Sequence, residues 1–230
     1  MGKLTINQEE LYSRIYKKSK LKRDVYNNTL ESFQLLKKIL FAVETNYNNF
    51  LQSSNSDESL GFSVKEIGDF EVEIKFGGDV LIFLMHTNIF EFPRNHAVMQ
   101  TPYVKNDKDM SYCGVIHVYN FLADSFKYNR VHDVGYLIGR LFVNKDKHYF
   151  IEGKKELGFI FNNFGENLLS KESLMQIIEA AIDYTINFDL LTPPYENVKY
   201  ASVEALKNTI DSISLKTGKR LGFKFQADTE

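Results

Sequence analysis

The chain has 230 residues, 43% apolar and 25% charged, with a formal net charge of −2 at pH 7. At this length roughly 70% of the unfolded surface is buried on folding, so the chain needs neither disulfides nor a metal to hold it together. The near-neutral charge gives no global pull toward nucleic acid or anionic lipid, and a lone cysteine, Cys113, excludes an internal disulfide or a cysteine-cluster zinc site.

The first residues lack the apolar core of an export signal, and no run approaches the ~18 apolar residues of a membrane span. The expectation is a cytoplasmic protein with no membrane contact. Residues 1–23 read as a basic arm, in which Arg14, Lys17, Lys18, Lys20, Lys22 and Arg23 are interleaved with Tyr12, Tyr16 and Tyr26. Lys17, Lys18, Lys20, Lys22 and Arg23 are its candidate phosphate contacts, with the tyrosines as stacking platforms. The same composition also describes a solvated, partly helical arm. Residues 24–230 read as a single α+β domain.

From about Asp24 to Leu51 the spacing predicts a helix. Phe33, Leu36, Leu40, Val43, Tyr47 and Phe50 recur in steps of three and four, which places them on one face. Asn28 followed by Glu31 resembles a capping box and offers a later start. Leu35 and Ile39 widen the stripe beyond a coiled-coil seam, as expected for a helix lying on a sheet. Such a helix, about 40 Å long, outruns strands of roughly 17–33 Å. Part of it is expected to overhang and to pair with the same helix of a second copy, making a homodimer.

After a polar connector over 52–59 the period changes to two. Phe70, Val72, Ile74 and Phe76 alternate with Glu71, Glu73 and Lys75, a strand with one wet face. Gly77-Gly78 suits a tight turn into Val80–Met85, which is apolar on both faces and so central. Residues 93–111 read as a long irregular loop, a length that usually marks function or mobility. Strands follow at Tyr112–Leu122, Tyr136–Val143, His148–Glu152 and Leu157–Phe161. These make a mainly antiparallel sheet of five to seven strands. Ser170 caps a helix with Leu174, Ile177, Ile178, Ala181, Ile182, Thr185 and Phe188 inward. A last helix begins near Ser202 and stops at Gly218, and Leu221–Phe225 reads as an edge strand.

Few residues carry chemistry. The apolar strand Phe150-Ile151 running into Glu152-Gly153-Lys154 resembles the metal-binding E-x-K strand of restriction-endonuclease-like nucleases. That likeness implies a metal-dependent hydrolase or nuclease using Glu152, Lys154 and a nearby acid, with His132 as a further candidate. With Lys145-Asp146 as the hairpin turn, Glu152 falls opposite Gly139 and meets no acid, which leaves an ordinary charged turn. None of His86, His96, His117, His132 and His148 shows metal-ligand spacing, so no metal or cofactor is expected. Asp107-Lys108-Asp109 is short and carries a central lysine, as a solvated turn does. Cys113 lies in apolar company, where a thiol stays protonated and inert.

Arg94, His96 and Tyr103 from one irregular segment, with Arg130 and His132 from another, form a candidate site for a small anionic ligand should the segments converge. The layout broadly resembles sensory domains of the PAS or GAF kind, in which a sheet cups a ligand and an N-terminal helix mediates pairing. The expected function is therefore a non-enzymatic ligand- or partner-binding module. A hydrolase or nuclease at Glu152-Lys154 and nucleic-acid binding through the basic arm are the alternatives.

Overall fold

The computed structural model describes residues 6–154, 156–159, 163–188, 194–200 and 202–203. Helix α1 spans Ile6–Ser53 without a break. Nothing between residues 6 and 24 stops a helix, since neither glycine nor proline occurs there. The basic segment is accordingly the first part of α1. Asn28 and Glu31 are not a cap. The Asn28 amide donates to the carbonyls of Asn144 and Lys145, and Glu31 accepts from Lys147, so both tie α1 to a distant hairpin.

Seven strands follow: β1 (Ser63–Gly68), β2 (Glu71–Phe76), β3 (Asp79–Met85), β4 (Phe90–Glu91), β5 (Tyr112–Leu122), β6 (Tyr136–Asn144) and β7 (Tyr149–Gly153). All pairings are antiparallel, in the order β1-β2-β3-β5-β6-β7, with β4 beside the start of β5. Gly77 takes the positive φ of the β2–β3 turn. Strand β1 escaped the sequence reading because it is an edge strand, exposed along most of its length, with no buried alternation to detect. Buried Lys37 on α1 reaches it, donating to Glu66 and to the Gly68 carbonyl.

The segment 93–111 is a chain of short helical turns rather than an irregular loop. Single turns at Ala97–Gln100 and Lys108–Ser111 flank α2 (Pro102–Asn106). His96, Thr101 and Asp107 each accept a backbone N–H at a turn's start, and these local bonds hold what hydrophobic periodicity does not show. Asp107 also pairs with Lys145 at 2.8 Å. After β5 comes α3 (Ala123–Lys127), and after β7 comes α4 (Glu156–Phe159). The latter lies where a strand was expected. Its Leu157 is buried in the main core beside Gly153, so β7 is the sheet's last strand among the described residues.

Helix α5 (Lys171–Ile186) begins at Ser170 with a two-way cap to Ser173 and buries Leu174, Ile177, Ile178 and Ala181, as the spacing requires. A short α6 (Tyr195–Val198) follows. The expected last helix and edge strand lie, beyond Val203, outside the described residues.

Phe33, Leu36, Ile39 and Leu40 of α1 join α5 on one sheet face, over Ile74, Phe83, Ile116, Leu141 and Ile151. The stripe from Phe33 to Leu40 therefore packs on its own sheet, while Phe50 at its far end is 59% exposed. Helix and sheet approach closely at Gly114, where a Cβ would sit 2.1 Å from the Thr29 hydroxyl. On the other face the capped turns cover a smaller cluster of Phe92, Val98, Val104, Val115, Phe142, Phe150 and Phe164. Among the described residues no helix is long and apolar enough to cross a membrane.

Candidate functional site

The candidate site lies where that smaller cover ends. Side chains alternate along a strand, so residues two apart share a face. Val115, Phe142 and Phe150 are paired neighbours on β5, β6 and β7, and one rank along stand His117, Arg140 and Glu152. The first rank is buried apolar floor and the second is polar. Val115, Phe142, His117, Arg140 and Glu152, with His86, Phe90, Phe92 and His96, line a cleft of about 540 Å³.

Glu152 sits at the centre of the polar contacts. One carboxylate oxygen takes a short hydrogen bond from Arg140 Nη2. The other lies 2.7 Å from His96 Nε2. The His96 ring stacks on Phe92, and the Arg140 guanidinium lies over the Phe142 ring. These aromatic contacts fix both donors against the floor.

The histidine tautomers follow from local backbone bonds. His96 Nδ1 accepts the Val98 N–H at 3.2 Å, and His86 Nδ1 accepts the Asn88 N–H at 3.0 Å. A nitrogen that accepts carries no proton, so the proton of each ring sits on Nε2. His96 is thus a donor to Glu152, and His86 presents a donor with no partner among the described residues. Burial, reinforced by Arg140 and His86, lowers the pKa of His117 below its ordinary 6.5 and favours the neutral ring. Among the described residues no three His, Cys, Asp or Glu side chains stand together as metal ligands.

The cleft is therefore rich in donors over an aromatic floor, and one built-in carboxylate uses part of them. Arg140 gives Glu152 only Nη2, which leaves Nη1 and Nε.

The residues expected to form the anion site do not gather as one cluster. His96 lines the cleft; Arg94, two residues earlier, is exposed. Tyr103 accepts from the Asn144 amide and stacks on His148, at the far end of β6. Arg130 and His132 precede the near end of β6, eight residues or about 26 Å from Asn144 at strand rise. Arg130 is buried and tied to Asp124 and Asp133, while His132 is exposed. Arg130 thus holds its own loop.

The E-x-K register also differs by one residue from that expected. The β6–β7 loop has three residues, with Lys147 at positive φ and the Asn144 side chain accepting from the N–H groups of Asp146 and His148. Glu152 therefore faces Arg140, a cation, rather than Gly139. The correct loop length would have placed Arg140 opposite Glu152, whereas the meeting of His117 with Arg140 depends on the β5–β6 register, which shifts between Val118 and Tyr119.

The cations of the basic segment are spread around α1. At 3.6 residues per turn, Arg14, Lys17, Lys18, Lys20, Lys22 and Arg23 fall on all sides of the helix. Lys20 pairs with Asp24 and Lys18 lies over the Tyr112 ring. Arg14, Lys17, Lys18 and Lys22 share about 140° of arc, and Arg14, Lys17 and Lys18 border one open groove, while Lys20 and Arg23 lie outside that arc.

Cys113 is fully buried, and burial pushes its thiol pKa well up. Comparison with protein-family models, curated proteins and solved structures finds no match to this chain, so neither the nuclease nor the sensory-domain likeness gains support there.

Proposed function

We propose that the protein is a binding module for a small anion with an apolar body, carboxylate or phosphate at one end and a ring or short hydrocarbon at the other. The observation that carries this reading is the donor set around Glu152. Arg140, His96 and His86 present N–H groups at the margin of an aromatic floor. A planar guanidinium beside imidazole N–H donors recognises carboxylate and phosphate oxygens, while the rings take apolar surface from water. Glu152 occupies part of that donor set and acts as an internal competitor.

The test uses phenyl phosphate and benzoate as probes, with inorganic phosphate for comparison, followed by calorimetry and by backbone amide shifts. The expected result is binding of a ring-bearing anion that perturbs Val115, His117, Arg140 and Phe142 and is lost in Arg140→Ala. Glu152→Gln should tighten it about tenfold, the equivalent of roughly 1.4 kcal/mol, by releasing Arg140 and His96. Equal binding by wild type and Arg140→Ala, or shifts confined to other surfaces, would overturn the reading.

A further inference from the structure

From Ile6 to Lys20 every residue of α1 is exposed, and the first buried side chain is Leu21. This stretch, about 22 Å at helical rise, runs past the turn at Asp109, with Lys18 over the Tyr112 ring and Leu11 and Ile15 at the border of an open groove there. It is not a polar spacer. Leu11, Tyr12, Ile15 and Tyr16 are 49%, 50%, 54% and 68% exposed. At 100° per residue these four fall within about 140° of arc, and Gln8 and Ser19 extend the same face. Four large apolar side chains side by side on an exposed helix face mark an interaction surface.

We infer that this face pairs with the same face of a second copy, the two helices running antiparallel about a two-fold axis near residues 13 and 14. The occupant follows from shape and charge. A two-fold contact needs a self-complementary patch. Reversing the helix about that centre sets Leu11 against Tyr16 and Tyr12 against Ile15, so an aromatic ring meets an aliphatic side chain at each level. Glu9 and Lys20 lie on one flank of the stripe and Lys18 on the other.

An antiparallel two-fold brings each flank against the same flank of its partner. Glu9 of each copy then meets Lys20 of the other, twice, while Lys20 keeps its bond to Asp24. A parallel pair would instead face Lys20 with the partner's Lys18, like against like. Charge thus selects antiparallel over parallel. This contact lies apart from the cleft and does not depend on the ligand proposed for it.

The test uses the full chain. Sedimentation velocity over a concentration series should show a monomer–dimer equilibrium. Leu11→Glu with Ile15→Glu should raise the dissociation constant roughly a hundredfold and leave the melting temperature unchanged at concentrations where the wild type is monomeric. Glu9→Lys and Lys20→Glu should each weaken the dimer, and the two together in one chain should restore it.

Orientation is read by disulfide capture, since the native Cys113 is buried. A mixture of Gln8→Cys and Ser19→Cys proteins should cross-link to each other and neither to itself. Self-cross-linking of Gln8→Cys would mean a parallel pair and would overturn the inference. So would a monomer at every concentration, whether the face is covered by another segment of the chain, by nucleic acid or by nothing.

Discussion

Ile116, Leu141 and Ile151 lie in a row across β5, β6 and β7, under α1 and α5, and belong to the larger core. One residue further along the same register, on the other face, the row is His117, Arg140 and Glu152. The two faces differ in what covers them. Long amphipathic helices offer a continuous apolar stripe, and their face is filled with hydrocarbon. The other face is covered by short turns held through side-chain caps, which reach from Phe92 to Ser111 and stop. Where they stop, charge can be accommodated beside water while its donors rest on aromatic rings. A cleft arises from an incomplete cover rather than from a special strand.

The sharpest way to break this contrast is to place a charge on the helical face. Leu40 has no exposed surface. Leu40→Asp should cost several kcal/mol, since it buries an unpaired carboxylate in hydrocarbon. Denaturant unfolding that leaves the midpoint unchanged would show the stripe to be uncovered.

A smaller effect is expected where helix and sheet touch. Gly114→Ala would place its new carbon against Thr29 and should cost about 1–3 kcal/mol by overpacking. Thr29→Ala on the same background should recover part of it. Full stability of the single variant would mean that α1 rides higher than described.

On the cleft face the expected changes are smaller still. Arg140 is partly exposed, and its bond to Glu152 is a margin ion pair. Arg140→Ala should therefore lower stability by no more than about 1 kcal/mol while abolishing anion binding. A large loss of stability would mark Arg140 as part of the fold rather than of a site.

The smallest effect is the pH response of His117. Its folded-state pKa lies below the ordinary 6.5, so the unfolded chain binds this proton more tightly. Acidification then favours unfolding. The loss begins as pH falls through 6.5 and levels off below the folded-state value. His117→Gln should flatten that part of the stability profile, and an unaltered profile would assign the slope to other groups.

Local pattern made much of the fold legible. The stripe from Phe33 to Leu40, the alternation over 70–76, the doubly apolar β3 and the Ser170 cap each appear in the structure as their spacing implies. Strand β1 was missed because an exposed edge has no burial signal. The capped turns after Phe92 were missed because single side-chain bonds, not periodicity, hold them. The site was less legible than the fold. Of the five residues expected to share it, the structure places His96 in the cleft, and Arg140, Glu152, His86 and His117 join it from elsewhere in the chain.

By itself the sequence determined the class of the fold: helices and strands, their approximate spans, and which side of each faces a core. Those depend on periods of 3.6 and 2, which are properties of short stretches. Tertiary structure alone decided which faces are covered and which polar residues meet. A single extra residue in the β6–β7 loop moves Glu152 from Gly139 to Arg140, and a tautomer set by the Val98 N–H makes His96 a donor to it. Contacts between residues tens of positions apart depend on register and on loop geometry, and neither leaves a repeating mark in the chain.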